Sequence, residues 1–255
     1  MRRGPCRHEC LHRVNQVPRR QIGWVAVFRA KLPAMARPLR TYTRWGTLAT
    51  VFSTRTEKEL HALMACLCVL FEDLRIEIAG QAADNLGGLD ECGKEGRKLY
   101  FLRRSIATLH EFATVLRELD QLPSFQPIRA RFDVVARTHW THAVAYFQKN
   151  DRYIARIRHH VGGHFGINAA ELAIENLLPE AVGALEVFFT QKGGGAKLFF
   201  ANEIAATGTL RHVRGDTIPA RARRLVCHAL VAYRKAVWAV DCIAASYLWE
   251  RFGKR

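Results

Sequence analysis

Acidic residues are scarce in this chain: 23 Asp and Glu stand against 39 Lys and Arg, a formal charge of +16 over 255 residues. Such an excess points to an anionic partner, whether nucleic acid, a membrane surface or an acidic protein. Long apolar runs are missing too. The longest uninterrupted one, Ala62 to Phe71, is too short to span a bilayer. The stretch from Ala229 to Trp249 is longer but carries Arg234, Lys235 and Asp241, so it reads as a packed amphipathic helix, not a membrane anchor. The opening residues lack the apolar stretch of a signal peptide, and they lack the serines of a transit peptide. No C-x-x-C pair occurs among the seven cysteines, the number is odd, and several sit inside apolar helical runs. That usage favours free thiols in a reducing cytoplasm over a disulfide framework.

What is present is enough apolar residue, 49% of the chain, for a real core. The positive charge is unevenly spread. Residues 1–40 hold ten Arg and Lys against one acid, Glu9, so +9 of the total sits there and the rest of the chain carries +7. The same segment holds Pro5, Pro18, Pro33 and Pro38 and has no sustained apolar period. Residues 1–45 are therefore expected to be a disordered basic arm, or not to be translated at all if Met35 is the start. Cys6, His8, Cys10 and His12 alternate in this arm, but i, i+2 spacing is not the paired loop geometry of a zinc finger.

From residue 46 onward the pattern predicts an all-α, antiparallel helical bundle with a long C-terminal helix. Thr56-Glu57-Lys58-Glu59 reads as a capping box opening a helix through Leu60, Leu63, Leu67, Leu70, Leu74 and Ile78. Glycines between 87 and 96 break the chain. A second helix then carries Leu99, Leu102, Ile106, Leu109, Ala113, Leu116 and Leu119 on one face, and Pro123 and Pro127 mark the turn after it. A third is expected to begin near Ile128, to turn Phe132, Val135, Val144 and Phe147 inward, and to end at Gly162-Gly163. Asn168, with Glu171 three residues on, is expected to cap a fourth that Pro179 interrupts. Gly193 to Gly195 reads as a hinge, and residues 197–213 leave room for a short strand or hairpin. The last helix opens with Pro219 in its first turn and runs to about Trp249.

The most site-like segment is Arg158-His159-His160-Val161-Gly162-Gly163-His164. An Arg followed by a polar residue, a few more residues and a His resembles the signature of the HEPN family of helical nucleic-acid-associated domains. The likeness extends to its place at the end of a long bundle helix, within a core of about residues 56–190. The pattern alone is common; of two instances with Asn, Asp or His directly after the Arg, Arg7-His8 to His12 lies in the basic arm, and only the second lies where a bundle site belongs. The resemblance implies a metal-independent ribonuclease, of the toxin or phage-defence kind, with no cofactor and a site completed across a homodimer. Arg158 would clamp phosphate, His164 would act as general base or acid, and His159 would orient them. These residue types fit that chemistry, because histidine titrates near neutrality and arginine keeps its charge while offering a planar fork to phosphate oxygens. An antitoxin or other regulator is a further implied partner.

Other clusters carry less. A basic helix end complements the helix dipole without any further role. His160 and His164 are four apart, and His139 and His142 three apart, as metal pairs on a helix face would be. However, Val161 stands where the H-E-x-x-H pattern needs its Glu, and no metal is expected. His139 and His142 flank Trp140 and read as core-edge or surface residues. Arg221, Arg223 and Arg224 form a basic start to the last helix, either a solvated face or a hold on an RNA backbone. Glu72, Asp73 and Glu111 form no recognisable carboxylate dyad. The competing reading is a non-catalytic helical bundle that binds RNA or a partner protein.

Overall fold

The computed structural model describes residues 44, 48–52, 57–82, 91–161, 166–177, 183, 185–190 and 193–252. The basic arm except Arg44, which donates to the Trp249 carbonyl at 2.8 Å, lies outside the described residues, as do Thr56, Gly162 to Phe165 and Pro179.

Four long helices form the frame: α2 (Lys58–Ala82), α3 (Glu91–Gln121), α5 (Val134–Val161) and α8 (Ile218–Ile243). Each packs on the next in a closed ring, α2 on α3, α3 on α5, α5 on α8 and α8 back on α2. Cross-helix pairs give the directions. Gln81 bonds Ser105, His110 meets His159, His139 meets Trp238 and Phe71 stacks on Tyr233, so neighbours run antiparallel throughout. The predicted all-α antiparallel bundle is the fold. No described helix is long and apolar enough to cross a membrane.

The three-four period of leucines explains the core. Leu60, Leu67, Leu70, Leu74 and Ile78 of α2, and all seven expected positions of α3 from Leu99 to Leu119, are buried. Helix α3 begins at Glu91, earlier than its glycines suggest. At Gly96 the Asn202 side chain comes close to the helix, and a Cβ there would stand 2.7 Å from its Oδ1. That glycine permits a close helix approach instead of ending a helix.

The third expected helix is two. Short α4 (Gln126–Ala130), preceded by a single 3-10 turn at Pro123–Phe125, is separated from α5 by a turn at Arg131 to Asp133. The Asp133 carboxylate accepts the Ala136 N–H at 2.7 Å, an N-cap that starts α5 six residues later than Ile128. This shifts the inward face: Val144, Phe147, Ile154 and Ile157 are buried, but Val135 is 62% exposed. Phe132 is buried from the turn itself, in a cluster with Phe125 and Trp140 whose ring centroids are 4.9 to 6.1 Å apart. The Trp140 indole N–H donates to Asp120 Oδ1 at 2.7 Å, and Arg129 donates to the same oxygen at 2.9 Å.

Between α5 and α8 the chain makes α6 (Ile167–Glu175), the antiparallel hairpin β1 (Leu185–Thr190) and β2 (Gly193–Leu198), and α7 (Phe199–Leu210), which packs on α3 and α6. Two expectations change here. Gly166 occupies the N-cap of α6 with no side-chain cap, leaving Asn168 inside the helix. Gly193 to Gly195 are strand residues paired with Phe188 to Thr190, not a hinge, because backbone pairing with β1 holds them despite the low strand preference of glycine.

Helix α8 starts as a sharp corner. The Thr217 hydroxyl accepts the Ala220 N–H, Pro219 lies in the first turn, and Gly215 adopts a φ of 153° that favours glycine. At its other end α8 passes into a π-helical turn, Ala244–Leu248, and then α9 (Trp249–Arg251). The wider turn delivers Tyr247 and Arg251 to the start of α2. The buried His61 Nε2 lies 2.6 Å from the Tyr247 hydroxyl and 3.2 Å from Arg251, which also donates to the Val51 carbonyl of α1 (Leu48–Val51) at 2.7 Å. This network ties the ends of the ring together.

One buried acid is poorly matched. Glu77 accepts from Thr108 at 3.0 Å and faces Arg104 at 3.6 Å through one oxygen, while the other has no partner among the described residues. Burial pushes its pKa up to about 7, against the pull of Thr108 and Arg104. A folded-state pKa above the unfolded value means the fold holds the proton more tightly, so stability falls as pH rises from about 4.5 through about 7. Glu77→Gln should remove that slope and stabilise the protein at pH 8 by about 2 kcal/mol in denaturant titration. An unchanged pH slope would contradict it.

Candidate functional site

The last turn of α5 carries Arg158 and His159. Cations there complement the partial negative charge of a helix C-terminus, which accounts for their presence but not for their surroundings. Arg158 is half-buried, and among the described residues it has neither a hydrogen bond nor an ion pair. His159 is exposed, and its ring lies 6.4 Å from that of His110 on α3, at 61°. Antiparallel packing of α3 on α5 thus brings a second histidine to the pair.

Half-buried His110 is held below the usual histidine pKa first by burial and then by the Arg158 guanidinium, with His159 adding to the effect. Asp151 and Glu111 oppose it. A lowered pKa keeps this imidazole neutral at pH 7, the form that accepts a proton. A fixed cation, an exposed imidazole and a neutral imidazole therefore share one end of the bundle. Next along the α3–α5 groove, Arg117 and Asp151 pair at 3.7 Å beside a cavity of about 10 Å³ lined by Ala113, Phe147 and Gln148. That is room for about one water, so a ligand would bind on the surface of this groove and not within it.

Sequence reading picked out Arg158 and His159 and missed His110. His110 lies in no motif, and only the pairing of two helices distant in sequence reveals its place. His164 and the two glycines before it lie outside the described residues, as does the His160 side chain.

Arg221, Arg223 and Arg224 open α8, whose antiparallel register sets them beside the second half of α5. Arg224 is close enough to Tyr153 of α5 to act on its hydroxyl. Two of the three also have local work. Arg221 Nε donates to the Gly215 carbonyl at 2.7 Å and clamps the corner before α8, and Arg224 reaches the Arg214 carbonyl at 3.3 Å. Arg223 is exposed and makes no such bond among the described residues.

The other clusters separate. His139 is half-buried and His142 exposed, both on the α5–α8 seam, where His139 stacks on Trp238 at 4.4 Å. Among the described residues no three His, Cys, Asp or Glu side chains converge as metal ligands. Glu72 pairs with Arg75 at 2.7 Å, and Asp73 and Glu111 both raise the pKa of the Glu77 carboxyl. No family model, curated protein or solved structure matches the chain.

The coupling of His110 to Arg158 is directly measurable. Arg158→Gln removes a neighbouring positive charge, so the His110 titration midpoint followed by NMR should move upward. A midpoint that stays put would separate the two side chains.

Proposed function

We propose that the chain is a HEPN-like, metal-independent endoribonuclease, working as a homodimer in the cytoplasm as a toxin or phage-defence effector, with an antitoxin or similar regulator. The observation that carries this reading is the neutral, half-buried His110 beside Arg158 and His159 at the end of α5. Cleavage of RNA without a metal needs a base to take the 2′-hydroxyl proton as that oxygen attacks phosphorus. It also needs an acid to protonate the departing 5′-oxygen and a cation for the charge gathering on the phosphate. Arg158 serves as the phosphate clamp, and His164 as acid or base. His159 orients them, and His110 supplies a proton acceptor of lowered pKa. The second protomer supplies the groups one chain lacks.

A non-catalytic RNA-binding or protein-interaction bundle is the alternative. The cavity of about 10 Å³ beside Arg117 and Asp151, room for about one water, favours it.

Purified full-length protein offered labelled RNA should cleave it in the presence of EDTA. Arg158→Ala and His164→Ala should each lower the rate by about 100-fold or more, the usual size of a lost acid, base or charge-stabilising group. His110→Ala should lower it as well and change the pH dependence on the acidic limb. Cleavage at the parental rate in Arg158→Ala and His164→Ala would overturn the assignment, and salt-dependent binding without cleavage would select the alternative.

A further inference from the structure

The positive charge of the described bundle is concentrated on two adjacent helices. Helix α5 carries five Arg and Lys against one Asp, and so does α8, whereas α2 carries two against four acids. The acid of α5, Asp151, is already engaged by Arg117. The acid of α8, Asp241, lies beyond Trp238 and faces His139. Between them the described residues of the α5–α8 seam include aromatic and cationic groups and no carboxylate.

Their order follows from the antiparallel register. At one end the His139 ring lies flat on Trp238, with centroids 4.4 Å apart and planes 6° apart. The exposed His142 ring stands 6.4 Å from the same indole. Lys235 places its ammonium 3.7 Å from the ring centre, and Arg234 its guanidinium 5.1 Å away. Burial and the adjacent Arg234 both press the Lys235 ammonium toward losing its proton, a repulsion that a nearby anion would relieve. Further along, Tyr146 donates to the His228 carbonyl at 3.4 Å, and the Tyr153 ring lies 5.0 Å from His228. The Tyr153 hydroxyl has no hydrogen-bond partner among the described residues, and Arg224 acts on both Tyr153 and His228. Fourteen residues of α8 separate Arg224 from Trp238, a length of about 21 Å.

We infer that this seam is a binding track for single-stranded RNA, in which Trp238 with His142 stacks bases and Arg234, Lys235 and Arg224 hold phosphates. The inference rests on the RNA-binding part of the reading above, not on its catalysis. Sequence-tolerant binding of single strands combines a cationic groove with aromatic faces for successive bases. A base taking the place of the Lys235 ammonium on the indole frees that cation for the neighbouring phosphate. At the roughly 3.4 Å spacing of stacked nucleotides, the track accommodates about six. Paired RNA is excluded, because its bases are stacked on one another and its deep groove does not admit side chains. An acidic protein segment would use the cations alone and leave the indole untouched, which makes it distinguishable. The track ends at Arg224, beside the half of α5 that leads to Arg158.

The test uses the full chain in an Arg158→Ala background, so that cleavage does not interfere. The probes are a ten-nucleotide A/U oligoribonucleotide, the same sequence as a duplex, and polyglutamate. The single strand should bind and quench indole fluorescence, the quench should vanish in Trp238→Phe, and Arg234→Glu with Lys235→Glu should weaken binding about 10-fold or more with an unchanged unfolding midpoint. Equal binding by that double variant, a quench that persists in Trp238→Phe, or equal affinity for the duplex or polyglutamate would each overturn the track. The nuclease reading fails separately, if the parent protein binds the single strand without cutting it.

Discussion

The bundle depends on pressing together two helices that carry the same sign of charge. What allows it is a ridge of alanines on α8: Ala222, Ala229, Ala232, Ala236 and Ala239 are all nearly or fully buried, at three- and four-residue and sevenfold intervals. Small side chains in those rows let the α8 backbone sit close to its neighbours, while Ala143, Val144, Phe147, Ile154 and Ile157 of α5 are buried in the same core. The magnitudes decide the outcome. Two exposed unit charges 10 Å apart in water repel by about 0.4 kcal/mol, and salt reduces this further. Each large apolar side chain fully buried contributes about 1.5–3 kcal/mol. Packing therefore wins, and the cations remain as a tolerated surplus on the outside of the seam.

The two ends of the bundle treat polar groups differently. Where α8 meets the start of α2, His61, Tyr247, Arg251 and Glu57 engage one another, and Arg251 also holds the Val51 carbonyl. That end is closed by its own hydrogen bonds. Where α5 ends and α8 begins, cations outnumber the groups that answer them: Arg158 and Arg223 lack partners among the described residues. A helix end needs one or two cations to satisfy its dipole, and this one has more than that accounts for.

How much of this the sequence carried depends on the distance over which each cause acts. The leucine phases of α2 and α3 and Pro219 at the start of α8 are local signals, and the helices follow them. The start of α5 is local too, but an apolar period running on from Ile128 masks the Asp133 N-cap, so the period turns Val135 inward whereas the fold leaves it exposed. Gly96 and Gly193 to Gly195 misled for another reason. Glycine marks either a break or a close approach, and only the partner, Asn202 or the facing strand, tells which. Arg158 and His159 could be found from their spacing. His110 and the row from Trp238 to Arg224 could not, because each is assembled by helix pairing between residues far apart in the chain.

The alanine-backed seam has a thermodynamic consequence. Repulsion that packing overrides is not abolished; it is retained in the native state and absent from the expanded chain, where the same charges are far apart. Any species that neutralises the seam in the folded form alone lowers the free energy of that form by its own binding, according to its concentration relative to its dissociation constant. Folding and anion capture are thus two readings of one equilibrium: the chain is least stable when bare at low ionic strength, and occupancy of α5 and α8 tightens the same contact that holds the ring shut.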